Sequence, residues 1–125
     1  MPFEDNFFDF ILCNHVLEHI DDDKKAMHEL YRVLNKNGIA ILQVPIDLNI
    51  KRTFEDPGIK DKNEKIKKFG QYDHVRLYGL DYFDRLKKVG FHVEKNNYAN
   101  EFRDEEIKKY SIVKNEIIPI CKKLV

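Results

Sequence analysis

The stretch Phe8-Asp9-Phe10-Ile11-Leu12-Cys13-Asn14-His15-Val16-Leu17-Glu18-His19-Ile20 decides how the rest of the chain is read. It opens on a short apolar run and closes on polar and ionisable side chains. Bounded by Asp5 and Asn6, a run of that length predicts a strand over residues 8–13, strand A, buried on both faces. Asp21, Asp22 and Asp23 follow, and a helical pattern begins. Ala26, Met27, Leu30, Val33 and Leu34 share one helical face, which predicts a helix over 23–36 with an aspartate cap and Asn37-Gly38 as its stop. Strand, polar crossover and helix make half of a βαβ unit. In open α/β sheets ligands sit outside the carboxyl ends of the strands. Asn14, His15, Glu18 and His19 are therefore the first candidates for chemistry.

Outward from this unit, Ile39-Ala40-Ile41-Leu42-Gln43-Val44 predicts strand B, apolar on both faces and stopped by Pro45. Short joints between strand, helix and strand imply parallel strands and a right-handed crossover. Over residues 46–78 the pattern breaks down into a charged insertion, with a turn at Asp56-Pro57-Gly58 and a short helix over 63–69. A long irregular stretch inside a compact domain reads as a lid or substrate loop, or as a plain solvated insertion. A helix over 80–89 follows, ended by Gly90, then a weakly alternating strand C over 91–98 and a polar helix over 104–110. The last apolar run, 116–121, is strand D. Pro119 lies inside it, and because proline donates no ladder hydrogen bond, a bulge or break is expected there.

At 125 residues and 42% hydrophobic content, the chain supports one compact core. Its 22 basic and 22 acidic residues cancel, which removes any general argument for nucleic-acid binding. Cys13 and Cys121 sit in apolar runs and read as buried free thiols. No apolar run approaches the length of a membrane span, so a cytoplasmic protein is the expectation.

The motifs also carry a resemblance. Pro2-Phe3-Glu4-Asp5-Asn6-Phe7-Phe8-Asp9, then His15-Val16-Leu17-Glu18-His19, then Leu30-Tyr31-Arg32-Val33-Leu34-Asn35-Lys36-Asn37-Gly38, resemble the class I S-adenosylmethionine-dependent methyltransferases, small-molecule branch. Phe7 stands where serine is common, and Asn37 replaces the first glycine of the turn. The resemblance implies an α/β fold with an incomplete Rossmann-like sheet and flanking helices. Its four strands would be the last of seven, in spatial order A-B-D-C. It also implies what is missing: the family's glycine-rich turn has no counterpart among the isolated Gly38, Gly58, Gly70, Gly79 and Gly90. The chain looks like the C-terminal half of a methyltransferase domain, expected to be inactive alone and to bind S-adenosylmethionine weakly or not at all. Strand A, lacking a neighbour, is expected to pair as a homodimer or with an N-terminal half.

On this resemblance Asn14 and His15 would line the cofactor's methionine side, and His19 would face the substrate. The segment Gln71-Tyr72-Asp73-His74-Val75-Arg76-Leu77-Tyr78 crowds polar groups together after strand B. Asp73-His74 has the parts of a general base and its orienting carboxylate, and adjacent side chains often point apart. Arg76 could clamp an anionic substrate group, and Tyr72 and Tyr78 could shape an aromatic pocket. The competing reading is a surface turn tied down by salt bridges. His74 is the first choice for a base and His15 the second. A non-enzymatic half-domain that works by association is the alternative function. A metal-dependent hydrolase ranks third, because His15-x-x-Glu18-His19 matches the H-x-x-E-H of inverted zinc peptidases. The same residues are similar to a metal-binding Glu-x-x-Glu-His found in some methyltransferases, with His74 as a further ligand. The preferred assignment holds no metal.

Overall fold

The computed structural model describes residues 2–96, 103–109 and 116–124. In chain order the elements are β1 (Phe8–Leu12), a 3₁₀ turn (Leu17–His19), α1 (Asp23–Val33), β2 (Leu34–Ile41), β3 (Phe54–Glu55), α2 (Lys62–Phe69), β4 (Arg76–Leu77), α3 (Tyr82–Val89), β5 (His92–Asn96), α4 (Asp104–Lys109) and β6 (Ile118–Lys122). Tyr110 and the last two residues of the predicted strand C lie outside the described residues.

The main sheet has the order β1-β2-β6-β5, which is the expected A-B-D-C. β1 and β2 are parallel, and β6 is antiparallel to both β2 and β5. Parallel bonding continues past the end of β1: the Cys13 amide donates to the Ile41 carbonyl at 2.9 Å and the His15 amide to the Gln43 carbonyl at 2.8 Å. The strand mouth is thus held by the ladder.

α1 is shorter than its apolar spacing suggests. Asp22 caps it by accepting from the Lys25 amide, and it ends at Val33. Its last carbonyls are taken by the lead-in to β1, with the Asn6 amide on Arg32 and the Phe7 amide on Val33. Leu34 is already extended and pairs with Phe8, and the next partner of β1, Ile39 opposite Phe10, comes five residues later. Asn37, at φ 62°, turns the chain inside this bulge. Asn37-Gly38 therefore reshapes a strand and does not stop a helix, a role open to asparagine because it tolerates the left-handed region.

α1 packs on α3, and α3 on β5. Met27, Leu34, Ala40, Leu42, Tyr82, Phe83, Leu86, Phe91 and Cys121 form the buried core between them. The opposite face of the sheet is apolar and open: Phe10 is 56%, Leu12 59% and Ile39 37% exposed. The expectation that strand A is buried on both faces is not met in this chain, because β1 is an edge strand with one covered face.

Pro119 corrects a second expectation. The β5–β6 register runs unbroken from His92↔Lys122 to Asn96↔Ile118, with Lys95 opposite Pro119, so no bulge forms. The β2–β6 register continues to Leu42 opposite Pro119, where the Leu42 amide donates to the Pro119 carbonyl at 3.4 Å. The donor that proline lacks would have faced the Leu42 carbonyl. That carbonyl accepts instead from the Tyr82 hydroxyl at 2.6 Å. A phenol from α3 fills the gap in the ladder.

The 46–78 insertion is partly ordered by pairing of its own. β3 and β4 form a two-stranded antiparallel sheet, and α2 falls where the short helix was expected. Gly79, just after it, lies so close to the Ile50 carbonyl that a Cβ would stand 2.7 Å from that oxygen, which explains glycine at this crossing.

Candidate active site at the end of the first strand

The chain leaves β1 at Asn14 and turns at His15, whose φ of 53° is left-handed. Asn14 and His15 are exposed, and the 3₁₀ turn then buries Leu17 and Glu18 to 1% exposure each. Irregular carbonyls at such a crossover need donors. The segment after α2 supplies them. The Val75 amide donates to the Glu18 carbonyl at 2.9 Å. Arg76, 2% exposed, donates from Nη1 to the Leu17 carbonyl at 2.5 Å, from Nη2 to the Asp21 carbonyl at 2.8 Å and from Nε to Glu55 at 2.6 Å. A planar fork of donors suits this task, and a lysine would not replace it.

Behind Arg76 lies a charge cluster. Asp23 accepts from the Tyr78 hydroxyl at 2.7 Å and from Arg85 at 2.8 Å, and Arg85 reaches Glu55 at 3.0 Å. Burial, reinforced by the bond to Asp23, pushes the Tyr78 phenol well above its ordinary range. Burial of Glu55 works to raise its pKa, but hydrogen bonds from Arg85 and Arg76 outweigh it and hold the carboxyl below the usual range. Arg76 and Tyr78, expected at a substrate, are thus engaged inside the fold. Asp23, Glu55 and Arg85 were not singled out from the sequence. Asp23 was one of three possible caps, and no pattern joins Glu55 to residues so far along the chain.

Three imidazoles converge on the turn. His19 Nδ1 donates to the Asp73 carbonyl at 3.1 Å and stands 3.4 Å from the Asp73 carboxylate. His74, 7% exposed, donates from Nδ1 to the Phe69 carbonyl at 3.3 Å. The two rings meet edge to face at 4.6 Å. The carboxylate–imidazole pair is therefore Asp73 with His19, not Asp73 with its neighbour His74. His15 Nδ1 lies 3.6 Å from Glu18 Oε2, with its side chain 56% exposed. Burial, with the Glu18 charge as a second cause, raises the Cys13 thiol. Tyr72 is exposed and lies under the Lys62 ammonium.

Two concavities flank the site. A cleft of about 500 Å³ is lined by charged residues (Asp21, Glu55, Lys60, Lys65 and Arg76) together with apolar ones such as Ile59 and Phe69, and by neither His15 nor His19. Its one buried cation, Arg76, is already committed. An apolar groove of about 470 Å³ runs between Cys13, Val16, Leu17, Ile20, Ala26 and Leu30.

A parallel strand pair with a polar mouth, continued by an antiparallel β6 between β2 and β5, defines a Rossmann-like methyltransferase sheet in its later strands. A methyltransferase-domain family model matches residues 1–42. An uncharacterized protein of Methanocaldococcus jannaschii, MJ1123, is 33% identical over 110 residues, covering 87% of this chain and 49% of that protein. The uncharacterized methyltransferase YcgJ of Bacillus subtilis is 26% identical over 112 residues, 90% of this chain and 38% of that protein. The crystal structure of YcgJ superposes with a TM-score of 0.52 at 20% identity, covering 97% of this chain and 62% of that one. An S-adenosylmethionine-dependent methyltransferase from Mesorhizobium loti gives 0.60 at 12% identity, over 97% and 63%. In its first third by sequence, and in its fold, the chain is similar to the class I S-adenosylmethionine-dependent methyltransferases. It spans about half or less of the curated relatives it matches.

S-adenosylmethionine is the cofactor of this family. The five glycines of this sequence are isolated and form no glycine-rich turn. Among the described residues, no helix is long and apolar enough to cross a membrane.

Proposed function

We propose that this chain supplies the acceptor side of an S-adenosylmethionine-dependent methyltransferase acting on a small molecule, and that it works in an assembly that adds chain along β1. The observation that carries the reading is the convergence of His15, His19 and His74 at the carboxyl end of a parallel strand, where sheets of this kind bind ligands. Asn14 and His15 face the cofactor's methionine end. His19, Asp73 and Tyr72 line the acceptor side, while Arg76 and Tyr78 hold that segment in place.

Methyl transfer needs an aligned nucleophile and exclusion of water. An oxygen or nitrogen acceptor also loses a proton, and a positioned base contributes about 10²–10⁴-fold. His15 suits this role better than His74: it is exposed at the mouth, whereas His74 is buried with Nδ1 committed to Phe69. In the assembled protein, His15→Ala should lower release of S-adenosylhomocysteine by about 10²-fold or more and leave cofactor affinity within a few-fold. Unchanged turnover removes His15 from the reaction.

The open edge favours association as part of that function. β1 presents unpaired backbone groups beside exposed Phe10 and Leu12. Burying a side chain of that size is worth about 1.5–3 kcal/mol, and an apolar edge of this kind is a template for another strand. A second copy of this chain joined about a two-fold axis, or a cofactor-binding half, fits it. The same edge supports the second reading, a non-enzymatic half-domain. No S-adenosylhomocysteine release from any assembly containing the chain would favour that reading.

A further inference from the structure

We infer that Glu18, His19 and His74 form a binding site for a divalent first-row transition-metal ion, one that latches the 46–78 insertion onto the crossover after β1. One potential ligand atom from each of the three side chains lies within 4.8 Å of the others. Glu18 is 1% exposed, and neither carboxylate oxygen has a hydrogen-bond partner. The backbone around it is already satisfied: its carbonyl accepts from Val75, and the Arg76 fork is spent on Leu17, Asp21 and Glu55. A buried carboxylate with no donor is costly unless a cation meets it. His15 Nδ1, at 3.6 Å, is too far to hydrogen-bond to it.

The histidines are prepared from behind. His19 is held through Nδ1 by the carbonyl and carboxylate of Asp73, and His74 through Nδ1 by the carbonyl of Phe69. A ring whose Nδ1–H is fixed by an oxygen acceptor presents an unprotonated Nε2, the arrangement found behind metal-ligating histidines. Two imidazoles with one carboxylate select zinc-like ions over magnesium or calcium, which take oxygen ligands. Three protein ligands leave a coordination position open. His15 stands beside the site without being one of the three.

Glu18 and His19 belong to the 3₁₀ turn, and His74 to the insertion, so a bound ion ties the two together. This claim stands whether or not the chain takes part in methyl transfer. It is tested by titrating Zn²⁺ and Co²⁺ into the metal-stripped protein by calorimetry, with the visible Co²⁺ spectrum as a reporter of ligation. One equivalent should bind, Co²⁺ should develop ligand-field bands, and Zn²⁺ should raise the melting temperature, since an ion bound only to the native state stabilises it. Glu18→Gln should weaken Zn²⁺ binding by at least about tenfold and abolish the melting shift. His28→Gln and His92→Gln, on exposed histidines, should change neither. Absence of Co²⁺ bands in the unsubstituted protein overturns the site without reference to any variant. Binding that survives Glu18→Gln, or that is lost in His28→Gln or His92→Gln, overturns it as well.

Discussion

Replacing Tyr82 with phenylalanine tests the account of Pro119. The Tyr82 hydroxyl is the donor to the Leu42 carbonyl at 2.6 Å, and both residues are fully buried. Removing it leaves a carbonyl in the core opposite a proline that cannot donate. The net hydrogen bond is worth about 1 kcal/mol, and an unsatisfied buried acceptor costs about 1–3 kcal/mol. Tyr82→Phe should therefore lower stability by about 2 kcal/mol, with a fall in melting temperature of roughly 5–10 °C for a domain of this size. Pro119→Ala supplies the missing amide. Alone it should be close to neutral, because Leu42 already has its phenol. Combined with Tyr82→Phe it should recover about 1 kcal/mol, measured as a coupling energy in a double-mutant cycle. Urea unfolding followed by circular dichroism gives all four values. A Tyr82→Phe protein as stable as the parent, or strictly additive substitutions, would show that the phenol does not stand in for the ladder donor.

Other consequences follow from the buried charges and thiols. Arg76→Ala, which leaves the Leu17 and Asp21 carbonyls without this donor and Glu55 without one of its two arginines, should cost about 3–5 kcal/mol and speed proteolysis within residues 46–78. If cleavage there is unchanged, Arg76 does not hold the insertion. Because the Glu55 carboxyl is held below its ordinary range, its contribution is present above the unfolded-state value near pH 4 and is lost as pH falls through the native value. Glu55→Gln should therefore flatten the acid limb of a stability–pH curve, and an unaltered limb would contradict the pairing. Burial pushes the Cys121 thiol up to about 12. It should resist thiol reagents until the protein unfolds, and rapid labelling of Cys121 in the native state would contradict the packing of β6.

The parallel pair, α1 and the order of β6 and β5 were legible because periodicity and turn residues are local, and because the motif around His15–His19 resembles a known family. The boundary between α1 and β2 was not. Apolar residues continue through Leu34 at helical spacing, and nothing local shows that the amides of Asn6 and Phe7 will take the helix's last carbonyls. The unbroken ladder at Pro119 depends on a phenol from α3, 37 residues earlier in the chain than the proline (119 minus 82). The sequence named candidate residues but not the partners their side chains take in the fold. Whether Asp73 pairs with its neighbour His74 was open in the sequence, and in the fold Asp73 lies against His19, 54 residues away in sequence. Arg76 and Tyr78 looked like substrate contacts because their residue types suit that role. Tertiary packing uses their donors for the crossover and for Asp23.

The most direct test of the central claim joins light scattering with calorimetry on the purified chain. A sheet that offers β1 as an open edge and lacks a glycine-rich cradle should run as a dimer or larger species. S-adenosylmethionine or S-adenosylhomocysteine should produce no heat of binding at micromolar concentration. Phe10→Lys, placing a charge on the open face, should shift the species toward monomer. A stable monomer that binds S-adenosylmethionine at micromolar levels would contradict the account.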